Sequence, residues 1–214
     1  MRPITKGEAP ECLLKWIEEQ CNARQTTDYY AFDQGKKLKE HLLDEQFGLC
    51  AYTGRLVVAS QVSVEHIKPY SKCRNEKAAN GLMVGEDVDH MNMVATHRTY
   101  APNEYGEALR GNWFNANYIS PLEHDCGTHF SFELDGNIAS NTLRGQAMIA
   151  KLRLDHPKLV EERRAAIDSA VDDLANSLDE LGSISNFIAH TLIPVGRQLP
   201  TFVFVLESAL LKLE

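Results

Sequence analysis

The densest gathering of reactive residue types is Val64-Glu65-His66-Ile67-Lys68-Pro69, with Cys50-Ala51-Tyr52-Thr53 before it and Asp89-His90-Met91-Asn92-Met93-Val94-Ala95 after it. A histidine beside a carboxylate, at the end of a strand and fixed by a following proline, can take a proton from water while its neighbour holds a divalent cation. That pairing suits hydrolysis of a phosphodiester. As a bare dipeptide the pattern is weak, since a core or surface histidine reads the same way. His90 and His97 lie near enough in sequence to act as further cation ligands. Other chemistries lack their signatures. There is no Gly-x-x-x-x-Gly-Lys phosphate loop, Asp87 to His90 lacks the positions of a calcium loop, His124 and His129 are out of phase for a helical zinc pair, and no nucleophile elbow occurs.

These residues need a scaffold, and the surrounding periodicity predicts one. Leu13, Leu14, Trp16 and Ile17 predict a helix over 11–22, and Leu38, Leu42 and Leu43 another over 33–46 with Asp33 as its cap. Residues 48–63 are short apolar runs punctuated by Gly48 and Gly54, which read as a small β-hairpin leading into Glu65-His66. From Ser71 to about Asn117 the chain is polar and irregular, with one helical candidate over 91–98. Asp135-Gly136 predicts the turn of a second hairpin over 130–140. Beyond Thr142 the pattern is helical: a long segment starts at Asp155-His156-Pro157, another at Ser183, and a last one follows Pro200-Thr201. That final segment is apolar on more than one face, which points to burial inside the fold, with a partner's groove as the other option.

Composition narrows the class. The chain has 214 residues, 43% of them hydrophobic, enough for one large core or two small ones. Met1 to Pro10 carries charges and prolines where a signal peptide would be apolar, and no run is long enough to span a bilayer. The expectation is a soluble cytoplasmic protein without membrane contact. Five cysteines at irregular spacing suit a reduced compartment better than a disulfide framework. A formal charge of −8 argues against gripping nucleic acid by the whole surface. Binding would be local, through Lys68, Lys72 and Arg74 with Arg110, or supplied by a partner; the plain reading of that basic cluster is a solvated face.

In combination, these motifs resemble the HNH endonuclease subunit of Septu and retron-associated antiphage systems. The resemblance rests on Cys50, Glu65-His66-Ile67-Lys68-Pro69 and Asn92, and on Met1-Arg2-Pro3-Ile4, the run from Leu42 to Tyr52, Arg110-Gly111-Asn112, Ser120-Pro121-Leu122, Asp135-Gly136 and Leu152-Arg153-Leu154 through Arg163, covering about residues 1 to 170. It implies an α+β fold with a ββα-metal centre over 48–140, between an N-terminal helical lead over 1–47 and a helical C-terminal region over 141–214. It further implies His66 as general base, Glu65 as metal ligand, Asn92 as a brace for the loop that orients the base, and Glu107 or Asn103 as a further ligand. The implied cofactor is Mg²⁺. The implied partners are a nucleic acid substrate (DNA or a structured RNA such as a tRNA), an ATPase subunit and, in a retron setting, a reverse transcriptase with its noncoding RNA. The chain departs from the family at the zinc knuckle, where Thr53 stands in place of a second cysteine; a structural Zn²⁺ would have to recruit Cys73, Cys126, His124 or His129, and the expectation is an apolar substitute with Cys50 simply buried. The rival reading is a degenerate HNH fold acting as an adaptor that binds nucleic acid or the ATPase without cutting.

Overall fold

Two helices open the chain: α1 (Glu11–Asn22) buries Leu13 and Trp16, and α2 (Gly35–Glu45) buries Leu38, Leu42 and Leu43. A computed structural model describes residues 1–98, 104–191 and 193–213. Helix α2 starts two residues later than predicted, and Gln34, rather than Asp33, sits at its N-terminal boundary without a side-chain cap.

The segment after α2 departs from the expected hairpin. A single bridge between Leu49 and Leu56 closes a tight turn, with Cys50 N–H donating to the Arg55 carbonyl at 2.8 Å. The true strand, β1 (Val62–His66), pairs antiparallel with β2 (Met93–His97), placing Glu65 opposite Val94 and His66 opposite Met93. The predicted helix over 91–98 is therefore a strand preceded by a 3₁₀ turn at His90–Asn92. Short apolar runs do not distinguish the two by periodicity. Here tertiary partners decide: Met93, Val94 and Ala95 are fully buried, and the outer edge of β2 is satisfied by Gln46. The Gln46 Oε1 accepts from Ala95 N–H at 2.7 Å and its Nε2 donates to the Ala95 carbonyl at 2.8 Å. A buried amide thus stands in for a third strand.

Between the strands, the stretch expected to be irregular holds α3 (Tyr70–Ala79), which starts after Pro69 and buries Cys73 and Lys77. Its weak apolar stripe explains why periodicity missed it. A short helix α4 (Glu107–Arg110) follows β2. The second hairpin forms as predicted from β3 (Ser131–Phe132) and β4 (Ile138–Ala139). Among the described residues, four α-helices follow, α5 (Leu143–Leu152), α6 (Pro157–Leu181), α7 (Ile184–Thr191) and α8 (Val203–Leu210), with a 3₁₀ turn at Leu211–Leu213 after the last. Val203, Val205, Leu206, Ala209 and Leu210 of α8 are buried within the fold. The fold is α+β, and one apolar cluster runs from Met1 and Trp16 through Val62 and Met93 to Ile167 and Leu210. No helix among the described residues is long and apolar enough to cross a membrane.

The hairpin turn gives a first testable expectation. Gly136 has φ +84° and lies against α6, where a Cβ would overlap the Val160 carbonyl and the Arg164 amide nitrogen. Left-handed backbone alone costs a residue with a Cβ about 1–2 kcal/mol, so Gly136→Ala is expected to destabilise by more than that, read as a lower Tm.

Candidate active site

The end of β1 carries the two central side chains. His66 is 7% exposed, and its ring Nε2 lies 2.9 Å from the Asp87 carbonyl. A carbonyl only accepts, so Nε2 carries the proton and Nδ1 is left as the basic nitrogen. Tyr29 packs edge-on against the ring at 4.7 Å between centroids. Burial pulls the His66 pKa below the ordinary histidine value, partly offset by the Asp87 carbonyl and carboxylate. The imidazole is thereby kept neutral and oriented at neutral pH.

Asp87 is itself anchored. Lys77 of α3 donates to both of its carboxylate oxygens, at 2.8 and 2.7 Å, and also to the Thr27 carbonyl. Lys77 is 5% exposed and Asp87 is fully buried. The chain Lys77, Asp87, His66 therefore fixes the base from behind. Nothing in the sequence marked Lys77 or Asp87 as a pair, because a lysine on a polar helix looks solvated until the fold buries it.

Glu65 is bonded through Oε1 to Arg110 of α4. Arg110, expected to face nucleic acid, is instead 1% exposed: its guanidinium also bonds the carbonyls of His66 and Ile67 and lies over the Tyr118 ring at 4.5 Å. It holds the turn after β1 together. Burial pushes Glu65 up to about 7, against the pull of Arg110 and with a further push from Glu107. Glu107, at the start of α4 and bonded to Ser63, is also pushed up by burial. Glu65, His66, Glu107 and Arg110 line one cleft of about 560 Å³, together with Tyr29, Tyr30, Tyr70 and Arg98. Two mutually repelling carboxylates in a half-buried cleft are a hard-oxygen donor set of the kind a divalent cation relieves. Asn103, the competing ligand, lies outside the described residues.

Asn92 ties the loop after His66 to the segment that holds Asp87. Its Oδ1 accepts from Lys68 N–H at 2.7 Å, and its Nδ2 lies 3.1 Å from the Lys68 carbonyl and 3.0 Å from the Glu86 carbonyl. Lys68 pairs with both Glu76 and Glu86, which neutralises much of its charge. Lys72 lies over the Phe114 ring and donates to the Phe114 carbonyl at 3.1 Å, while Arg74 is exposed on α3. Cys50, Cys73 and Cys126 are each buried as free thiols, and none belongs to a metal-type cluster among the described residues.

No family model matches the chain. A protein of Vibrio cholerae serotype O1 biovar El Tor named "Retron Vc95 putative HNH endonuclease" is 26% identical over 187 residues, covering 80% of this chain and 84% of its own length.

Proposed function

We propose that this chain is an HNH-type, divalent-metal-dependent nuclease that hydrolyses phosphodiester bonds of nucleic acid. The observation that carries this reading is the His66 Nε2 contact with the Asp87 carbonyl, which leaves Nδ1 as a proton acceptor beside two cleft carboxylates. The likeness to a protein named as a retron HNH endonuclease supports the same chemistry. The antiparallel pair of β1 and β2, with α3 inserted between them, and the short α4 that brings Glu107 and Arg110 to the β1 side of the cleft are compatible with a ββα-metal centre.

In the proposed reaction, Nδ1 of His66 takes a proton from the attacking water and the oxygen attacks phosphorus. Glu65, through the carboxylate oxygen not bonded to Arg110, and Glu107 would hold the cation. Mg²⁺ held there would supply Lewis-acid polarisation of the scissile phosphate and offset charge on the leaving oxygen as its bond to phosphorus breaks. Tyr30, 76% exposed and packed edge-on against Tyr70 at 4.7 Å, offers an aromatic rim on which a nucleobase can stack. Lys72 and Arg74 are the local cations for the backbone of DNA or of a structured RNA such as a tRNA. The relative's name ties that protein to a retron; a place in antiphage defence, with an ATPase partner, a reverse transcriptase and its noncoding RNA, or in a Septu-type pair, is proposed from the motif resemblance alone. Five free cysteines favour a cytoplasmic setting.

The non-cleaving adaptor remains as a second reading because Arg110 already neutralises Glu65. Incubating labelled DNA and total tRNA with wild type or Glu65→Ala, in Mg²⁺ or EDTA, separates the two. The nuclease reading expects metal-dependent cutting that Glu65→Ala loses. Binding without cutting, unchanged in Glu65→Ala, establishes the adaptor.

The pH profile follows from burial. Only neutral His66 accepts a proton, and its pKa is shifted down. At saturating metal, which holds Glu65 ionised although burial otherwise pushes it up to about 7, a chemistry-limited rate should therefore rise from acid pH through an ionisation below the ordinary value of about 6.5 and stay level above it. A rate still climbing well above that value would place the proton acceptor elsewhere.

A further inference from the structure

Outside the cleft, three potential metal ligands converge on another part of the scaffold. His41 and Glu45 lie one turn apart on the same face of α2. His90 opens the 3₁₀ turn that carries Asn92. The His41 Nε2 lies 3.6 Å from Glu45 Oε1, the His90 Nε2 lies 3.1 Å from Glu45 Oε2, and the ligand atoms of all three residues fall within 4.8 Å of one another. Zinc bonds of about 2.0–2.2 Å to nitrogen and oxygen put tetrahedral neighbours roughly 3.4 Å apart, and each histidine stands near that spacing from one Glu45 oxygen, His41 from Oε1 and His90 from Oε2. His90 and Glu45 side chains are 3% and 9% exposed. The His41 Nε2 is shielded from solvent and has no hydrogen-bond partner. A buried imidazole nitrogen with nothing to bond is costly unless a ligand completes it.

We infer that His41, Glu45 and His90 form a site for a borderline transition metal, zinc foremost, that staples α2 to the Asn92 turn. Two imidazoles and one carboxylate favour zinc, cobalt or nickel over Mg²⁺, which distinguishes this site chemically from the carboxylate cleft. The half-exposed His41 side leaves the fourth position to water. The staple supplies a cross-link in a chain that has Thr53 in place of a knuckle cysteine. Lys6 bonds the same carboxylate: its Nζ lies 2.6 Å from Glu45 Oε2 and 3.1 Å from the Met93 carbonyl, while Gly7 N–H donates to Oε1 at 2.7 Å. A dication therefore competes with the Lys6 ammonium for the same carboxylate.

The test loads the full chain with zinc chloride or cobalt chloride, removes excess by desalting, and measures bound metal and the visible absorption of tetrahedral cobalt. Wild type and Glu65→Ala are expected to retain metal with the tetrahedral signature. His41→Ala is expected to lose it, because even changes outside the ligand shell cost about 10–100-fold in metal affinity and removing a ligand costs no less. Lys6→Gln is expected to bind more tightly. His41 is partly exposed, so His41→Ala should melt like wild type in EDTA, which separates a lost ligand from a lost fold. Equal retention by wild type and His41→Ala, loss in Glu65→Ala, or no retention by wild type would each overturn the site. None of these readouts depends on nuclease activity.

Discussion

Replacing His66 by Ala is expected to lower the cleavage rate about 10²–10⁴-fold, the usual contribution of a positioned general base. The argument is geometric: Nε2 is committed to the Asp87 carbonyl at 2.9 Å, so the ring has one nitrogen with which to take a proton. Substrate affinity should change little, since His66 carries no formal charge when competent. The loss should therefore appear in kcat and not in KM. Removing the ring leaves a void beside Tyr29, so imidazole added to the His66→Ala protein is expected to restore part of the rate. A variant as active as wild type would exclude His66 as the base. Loss of activity together with loss of the folded state, seen as a lower Tm, would make its role structural.

The second large effect concerns stability. Lys77→Met removes one member of an ion pair in which Lys77 is 5% exposed and Asp87 fully buried. An orphaned buried charge costs about 3–5 kcal/mol, a large share of the roughly 5–15 kcal/mol by which a domain of this kind is stable. Urea unfolding should show that loss as a lower midpoint. The double variant Lys77→Met with Asp87→Asn should recover part of it, because the amide needs no counter-charge. Full additivity of the two changes would contradict a coupled pair. Since the Asp87 carbonyl also orients His66, the single variant is expected to slow cleavage even under conditions where it remains folded.

Within the proposed site, the contiguous residues were more legible than the groups that hold them. Glu65-His66 with Pro69 is a contiguous run, so neighbours in sequence are neighbours in space, and they do line one cleft with Glu107. Arg110 shows the limit of that reasoning. An arginine before a glycine reads as a surface cation, yet here it is buried against Glu65 and two carbonyls, because the turn after β1 leaves acceptors that only a multi-donor side chain from a distant helix can satisfy. Residues 91–98 mislead for a related reason. Their apolar run fits helix or strand, and only the antiparallel register with β1 selects the strand.

By itself, then, the sequence determined the elements whose signals are local: the apolar faces of α1, α2 and α6, the Asp135-Gly136 turn, and the juxtaposition of a carboxylate with a histidine. Tertiary structure alone decided which strand pairs with β1, that Lys77 and Asp87 are buried together behind His66, and that His41 and Glu45 meet His90 from 49 and 45 residues away. The division has a physical cause. Helical periodicity and turn chemistry are short-range, whereas burial changes the meaning of a charge, and burial is a property of the packed chain as a whole.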